Sequence, residues 1–121
     1  MASKSYRDLL VWQKAMDLVD EVYRTTTSLP TDEIYGLTSQ IRRSAVSVPA
    51  NIAEGQGQGY EKSFMRSLSI AQGSLNELET LILIAERLNY LDRKTINPIL
   101  EYCDEIGKMI TGLKKSLRSS S

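Results

Sequence analysis

The chain has 121 residues, a length that suits one domain with one hydrophobic core. Its 15 Lys and Arg residues balance 15 Asp and Glu residues, whereas proteins that bind by neutralising phosphates usually carry a basic surplus. The sequence contains no histidine, which excludes Ser-His-Asp and Cys-His catalysis and the Glu-x-x-His metal sites of helical bundles.

The first predicted helix, residues 6–26, has more apolar surface than contact with a single neighbour requires. One stripe follows the helical period and consists of Leu9, Trp12, Met16, Val19 and Tyr23. A second stripe lies beside it and consists of Val11, Ala15, Leu18 and Val22. Ser5 and Asp8 have the spacing of a capping box, and three threonines before Pro30 end the helix. We therefore expect one stripe to face a partner chain.

The second predicted helix, residues 32–54, contains a proline within its apolar stripe. The stripe consists of Ile34, Leu37, Ile41, Ala45, Val48 and Ile52. Pro49 should bend the helix and free the carbonyl of Ala45, at a cost of about 3 kcal/mol unless packing or the hydroxyl of Ser44 or Ser47 compensates. Gly55 follows the last apolar position, where a left-handed C-cap is expected.

Two longer helices complete the chain. The third, residues 61–88, has a strict four-three repeat of Phe64, Leu68, Ala71, Leu75, Leu78, Ile82 and Ala85. The fourth, residues 93–117, has apolar positions at Ile96, Ile99, Cys103, Ile106, Ile110, Leu113 and Leu117. A start at Asn97 would place Pro98 at the favoured first position, but the apolar Ile96 favours a start at Asp92.

Four amphipathic helices with short connections predict an all-α fold, an antiparallel up-down-up-down four-helix bundle that occupies residues 1–121 as one domain. Cys103 is the one cysteine, so an intrachain disulfide is impossible and a reducing compartment is expected. No apolar run approaches the roughly 20 residues that span a bilayer, and Met1 to Asp8 lacks the apolar region of a signal peptide. We therefore expect a soluble cytoplasmic protein.

The glycines at positions 55, 57 and 59 form the pattern G-x-G-x-G after a helix. A dinucleotide site needs G-x-G-x-x-G after a strand, and a Walker A loop needs a glycine before Lys62 and Ser63. The segment is interpreted as a helix end and a turn. The alternative is an anion site at the start of the third helix, assisted by Lys62 and Arg66.

A seam of short polar residues runs along the second helix beside its apolar stripe. Its members are Gln40, Ser44, Ser47, Asn51 and Glu54, and the third helix offers Ser67, Ser74 and Glu77 on one face. The seam is interpreted as a structural hydrogen-bond network or a subunit contact. The alternative is a ligand groove, or an acid-base pair of Glu54 and Glu77.

Basic residues occur in two places that could contact phosphates. Arg42 and Arg43 are adjacent, with Lys14 and Arg66 possible neighbours, and the tail after Glu105 contains Lys108, Lys114, Lys115 and Arg118 without an acid. Surface ion pairs are one interpretation of these residues. Nucleic-acid contact is the other.

Three segments resemble a known family: "DLLVWQKAMDL" from Asp8, "LTSQIRRSAVSVPANIAEGQGQG" from Leu37 and "LSIAQGSLNELETLI" from Leu68. They are similar to the bacterial four-helix bundle proteins encoded by 23S rRNA intervening sequences, a family that also includes an accessory protein of diversity-generating retroelements. The resemblance implies a ring-shaped homopentamer without known catalysis or cofactor. The retroelement relative is strongly basic and binds nucleic acid and a reverse transcriptase, whereas this chain is neutral.

Two hypotheses follow. The first is a non-enzymatic, ring-forming scaffold or adaptor with no metal and no cofactor, in which the polar seam contributes to assembly. The second is an RNA- or DNA-binding accessory protein that acts with a nucleic-acid enzyme such as a reverse transcriptase.

Overall fold

The computed structural model describes residues 5–120 and confirms the all-α class, since this part of the chain contains four α-helices and no strand. The helices are α1 (Leu10–Thr26), α2 (Leu37–Gly57), α3 (Glu61–Arg87) and α4 (Arg93–Ser120). Short 3-10 helices, Tyr6–Asp8 and Thr31–Glu33, precede α1 and α2.

Helices α2 and α3 run antiparallel, and so do α3 and α4, where Arg93 pairs with Glu86 at one end and Lys114 bonds Ser69 at the other. The hydroxyl oxygens of Ser47 in α2 and Ser74 in α3 are 2.8 Å apart, whereas Gly55, later in α2, packs against Ser67, earlier in α3. The backbones of α1 and α2, α2 and α3, α3 and α4, and α4 and α1 lie side by side. The four helices therefore form the corners of a bundle around one core.

The core consists of the apolar positions that the helical period predicts. The largest fully buried side chains are Leu18, Val22, Ile41, Val48, Ile52, Leu68, Leu78, Ile82, Ile96, Ile99, Ile106 and Ile110. Burial of each such side chain contributes about 1.5–3 kcal/mol relative to exposure. Ile34 is the exception among the predicted positions of α2, since it lies before the helix and is 51% exposed.

Both of the first two helices begin later than predicted. Ser5 does cap a helix, because the Arg7 N–H donates to its Oγ at 3.2 Å, but that helix is the 3-10 turn. Extended backbone at Leu9 then separates the turn from α1. Before α2, Gly36 has φ −112° and ψ −111°, outside the α and β regions, so the helix cannot start before Leu37.

Gly55 is not the left-handed C-cap that its position suggested. It lies inside α2 and is buried. A Cβ at this position would stand only 2.5 Å from the Cβ of Ser67 and 3.2 Å from the Cα of Phe64. The helix continues to Gly57, and Gly59, with φ +77°, takes the left-handed conformation. The absence of a side chain at Gly55 therefore serves the close approach of α2 and α3.

Pro49 is accommodated within α2, which runs unbroken from Leu37 to Gly57. Of the two compensations that the sequence suggested, packing and a neighbouring hydroxyl, the hydroxyl is not used, since neither serine bonds the carbonyl of Ala45. Ser44 donates to the carbonyl of Gln40 at 2.9 Å, and Ser47 hydrogen-bonds Ser74. Because Pro49 is itself buried, packing is the compensation that the structure offers.

The connection between α3 and α4 is fixed at both ends. Asn89 has φ +63°, and the Tyr90 N–H donates to the carbonyl of Ala85 at 2.9 Å, which is a Schellman ending. Asp92 caps α4 by accepting the Thr95 N–H at 2.8 Å, so the helix has the earlier of its two predicted starts. Hydrogen bonds from Thr95, first from its side chain and then from its N–H, lower the pKa of Asp92.

Candidate self-association faces and a basic end

The centre of the polar seam is a hydrogen-bond network between α2 and α3. The Asn51 amide donates to the carbonyl of Ser47 at 2.8 Å and to its Oγ at 2.9 Å, while that Oγ also bonds Ser74. Ser44 and Ser67 are buried as well. Among residues 5–120, no buried side-chain polar atom lacks a hydrogen-bond partner. The network holds the two helices in one register within the protomer.

The remaining seam residues, Gln40, Glu54 and Glu77, are exposed. Glu54 lies beside Gly55 and therefore level with Ser67, whereas Glu77 lies three residues beyond Ser74. About ten residues of α3 separate the two levels, or roughly 15 Å at 1.5 Å per residue. The alternative of a Glu54–Glu77 acid-base pair was therefore wrong.

The apolar stripe of α1 that begins at Leu9 is only partly covered, since Leu9, Trp12 and Val19 pack against the core but its other two members do not. Val11, Ala15, Leu18 and Val22 fill the core, while Met16 and Tyr23 are 41% and 42% exposed. Three more exposed apolar residues continue this surface around the start of α2, namely Ile34, Tyr35 and Val46. Tyr23, Ile34, Tyr35 and Val46 line one shallow depression together with Thr38, Ser39, Arg42 and Arg43, so they are neighbours. We call Met16, Tyr23, Ile34, Tyr35 and Val46 the α1–α2 face.

A second group of exposed apolar residues lies on α3. Ile70, Ile84 and Leu88 are 46%, 39% and 50% exposed. Their spacings of fourteen and four residues place them on one side of the helix. We call these three residues the α3 stripe. The protomer therefore presents two separate apolar surfaces.

Three of the predicted phosphate contacts lie apart from the rest. Lys14 forms an ion pair with Glu105 at 2.8 Å, and the hydrogen bond and charge of that carboxylate raise the pKa of Lys14. Arg42 donates to Thr26 Oγ1 at 2.9 Å and lies over the ring of Tyr23. Arg43 is exposed beside Arg42, near the start of α2.

The other predicted contacts lie at the opposite end of the bundle, where α3 begins and α4 ends. Lys114 donates to Ser69 Oγ at 2.8 Å and to Gln72 Oε1 at 3.1 Å, which joins the two segments. Residues 61–74 and 107–120 contain one acid, Glu61, and six bases: Lys62, Arg66, Lys108, Lys114, Lys115 and Arg118. We call this region the basic end. The sequence predicted its α4 part, and it predicted Lys62 and Arg66 separately as aids to an anion site at the start of α3. The expectation that Arg66 lies near Arg42 and Arg43 was wrong, because the antiparallel register places Arg66 at the other end of α2.

The described part of the chain offers neither a metal-binding cluster nor a membrane-spanning helix. Between residues 5 and 120, no three Cys, Asp or Glu side chains are grouped as metal ligands. None of the helices in that range combines the length and the apolar character needed to cross a bilayer. Burial raises the pKa of the Cys103 thiol to about 12, which opposes formation of the reactive thiolate.

These features define an antiparallel four-helix bundle whose surface presents apolar faces and one basic end. The chain belongs to the 23S rRNA-intervening sequence protein family, whose model matches residues 7–112. A similar solved structure is the 1.70 Å crystal structure of a protein with unknown function from the S23 ribosomal protein family of Bacteroides thetaiotaomicron VPI-5482. It has a TM-score of 0.80 and 24% identity, over 88% of this chain and 99% of that chain, and this likeness concerns the fold alone. No curated protein matches the chain.

Proposed function

We propose that the protein is a non-enzymatic scaffold that acts as a ring-shaped homo-oligomer. The observation that carries this proposal is the α1–α2 face, where Tyr35 is 96% exposed and four further large apolar side chains are more than 40% exposed. Contiguous exposed apolar residues on a soluble domain mark sites of interaction. The lack of histidine and the separation of Glu54 from Glu77 support a role without catalysis.

The two apolar surfaces favour a ring over a simple dimer. An isologous dimer needs one face that pairs with itself, whereas a closed ring needs two different faces that meet head to tail. The α1–α2 face and the α3 stripe supply two such surfaces on the long sides of the bundle. Five copies is the number that the family resemblance implies, and it does not follow from the geometry.

The size of the protomer is compatible with two contacts of this kind. Its accessible surface is 7404 Å². A standard interface buries about 800 Å² on each partner, so two contacts would cover about a fifth of that surface. The bundle ends and the outer side of α4 would then stay accessible to other molecules.

Sedimentation velocity at micromolar concentration tests the proposal. The wild-type chain should sediment as a single species of several copies. Val46→Glu should reduce its mass, because a carboxylate placed in the contact would lose water without gaining a partner. Leu10→Glu is the matched control, since Leu10 is 70% exposed and lies at the first residue of α1. A monomeric wild-type protein would refute the scaffold ring.

The basic end favours a second candidate function, that of an accessory protein which binds RNA or DNA. Lys108 forms an ion pair with Asp104 at 3.1 Å, and the five other bases and one acid of these two adjacent segments give a local positive surface. In a cyclic assembly all copies point the same way, so the basic ends would lie on one side and bind with avidity. This candidate depends on the basic end rather than on Arg42, which is held by Thr26 and Tyr23.

A gel shift with long RNA and duplex DNA in roughly 50 mM salt tests this second function, because electrostatic binding strengthens as salt falls. Lys62→Glu/Lys115→Glu should weaken a shift that the wild type gives. Lys94→Glu/Arg87→Glu changes the net charge equally at the other end and should leave the shift intact. Absence of any shift with the wild type would remove the nucleic-acid function.

A further inference from the structure

One aromatic side chain stands at the surface of the basic end. Tyr60 is the residue that precedes α3, and it is 73% exposed. Two glycines shortly before it, Gly57 and Gly59, border open space, since no atom lies within 4 Å of a built Cβ at either position. The connection from α2 therefore leaves the ring of Tyr60 open to solvent.

Beside Tyr60 lies a recess of about 260 Å³, where α2 ends, α3 begins and α4 ends. Ligand pockets usually measure about 300–1,000 Å³, so this recess suits one planar ring system rather than a whole nucleotide. Its lining combines apolar walls, bare backbone and one carboxylate, supplied respectively by Tyr60, Phe64 and Leu117, by Gly55 and Gly59, and by Glu61.

Positive charge lies next to the recess. Lys62 follows Tyr60 by two residues, and Lys114 of α4 reaches the same side of α3 because it bonds Ser69, seven residues after Lys62. Neither lysine forms an ion pair with another described residue. Lys62 and Ser69 are about 10 Å apart along the helix axis. At 3.4 Å per nucleotide of a stacked strand, that distance corresponds to roughly three nucleotides.

The recess and the lysines suit different parts of a nucleic acid. Glu61 repels a phosphate, but its carboxylate can accept a hydrogen bond from the amino group of a base. The ring of Tyr60 offers a stacking surface, which every base can use. The two lysines offer phosphates positive charge that no described acid neutralises. A base can enter the recess only when it is unpaired, since in a duplex it must first be unstacked and flipped out.

We propose that the basic end binds single-stranded nucleic acid, with one unpaired base stacked on Tyr60 and the adjoining phosphates on Lys62 and Lys114. This inference rests on the second candidate function and narrows its ligand to unpaired strands. None of the three residues belongs to the α1–α2 face or the α3 stripe, so the proposed ring contacts leave the site open.

Fluorescence anisotropy in roughly 50 mM salt tests the proposal with three labelled probes of equal length. They are a mixed-sequence single strand, its duplex, and a strand of abasic residues that keeps the phosphates without the bases. The wild type should bind the single strand most tightly. Tyr60→Ala should weaken that binding about five- to hundredfold, the usual loss when a stacking aromatic is removed, and leave the other two probes unchanged. Stacking and phosphate contacts do not read the sugar, so RNA and DNA strands should bind alike.

Conservative variants separate stacking from a structural role. Tyr60→Phe and Tyr60→Trp keep an aromatic ring and should keep the wild-type affinity. The single strand, but not the abasic strand, should quench the emission of Tyr60→Trp, and the wild type, whose one tryptophan is Trp12, is the blank. Because Tyr60 is exposed, these variants should melt close to the wild type. Lys62→Ala should reduce the salt dependence of binding, whereas Tyr60→Ala should lower affinity without changing that dependence.

The outcomes distinguish the inference from the function on which it rests. A wild type that binds none of the probes would refute the nucleic-acid function and the site with it. Equal binding of all three probes, unchanged in Tyr60→Ala, would overturn base stacking and leave an electrostatic contact. An equal loss for the abasic strand and the single strand in Tyr60→Ala would also overturn stacking. A wild-type preference for the duplex would overturn the assignment to unpaired strands.

Discussion

Substitution of Gly55 by alanine should destabilise the protein, although alanine is the better helix former. Without steric conflict, Gly→Ala within a helix stabilises by about 1 kcal/mol. Here the new Cβ would lie 2.5 Å from the Cβ of Ser67, about 1 Å inside ordinary contact, and 3.2 Å from the Cα of Phe64. Both neighbouring atoms are fixed by α3, so the two helices must separate locally.

Overpacking of this kind costs about 1–3 kcal/mol, and contacts with atoms tied to the backbone favour the upper value. After the gain in helix propensity, the net loss for Gly55→Ala is about 2 kcal/mol. Since 1 kcal/mol shifts the midpoint of a domain of this size by roughly 4 °C, the midpoint should fall by roughly 8 °C. Chemical denaturation and thermal melting at one fixed protein concentration measure the two quantities.

Gly112→Ala is the matched control, because Gly112 lies inside α4 with no atom within 4 Å of a built Cβ. It should stabilise by about 1 kcal/mol. Gly55→Ala combined with Ser67→Gly should recover part of the loss beyond additivity, since the closest atom is then removed. If Gly55→Ala were as stable as Gly112→Ala, the steric explanation of Gly55 would be refuted.

Three further predictions concern side chains within the bundle. Asn51→Leu should lose roughly 1–3 kcal/mol of unfolding free energy, because Ser47 loses its amide partner. The control Gln40→Leu should change the unfolding free energy little. Equal stability of the two variants in urea would contradict the network. Asp92→Ala should be less stable than the wild type at neutral pH. Because the folded-state pKa of Asp92 lies below its ordinary value near 3.8, this difference should be constant above about pH 5 and shrink as pH falls below 4. A difference that grew in acid would contradict that sign. The Cys103 thiol, with a pKa of about 12, should react with a thiol reagent only in denaturant, and rapid reaction of the native protein would disprove its burial.

The helical period was sufficient to predict the fold because each helix buries one continuous side. The predicted core positions Leu68, Leu78 and Ile82 of α3 are all fully buried. The structural role of Gly55 could not be predicted in the same way. A glycine after the last apolar position is typical of a C-cap. Only the close approach of Ser67 shows that the packing of α3 against α2 requires a glycine at this position.

The candidate faces were predictable to different degrees. The double stripe of α1 is visible in the sequence, and Met16 and Tyr23 are indeed left exposed. The common level of Arg43 on α2 and Glu77 on α3 was not visible, since the two residues are 34 positions apart in the chain and their alignment depends on the register of the two helices. The Ser47–Ser74 hydrogen bond sets that register.

The zero net charge of the chain is a poor guide to its surface, because the charges are segregated along the bundle. Residues 61–74 and 107–120 contain six bases and one acid, whereas residues 75–87 and 93–106, the other parts of α3 and α4, contain six acids and three bases. Helix α3 has 27 residues, so it is roughly 40 Å long at 1.5 Å per residue. The Debye length at physiological salt is about 8 Å, so a polyanion near Lys115 is largely screened from the acids of the far half. Neutrality of the whole chain therefore does not argue against phosphate contact at the basic end.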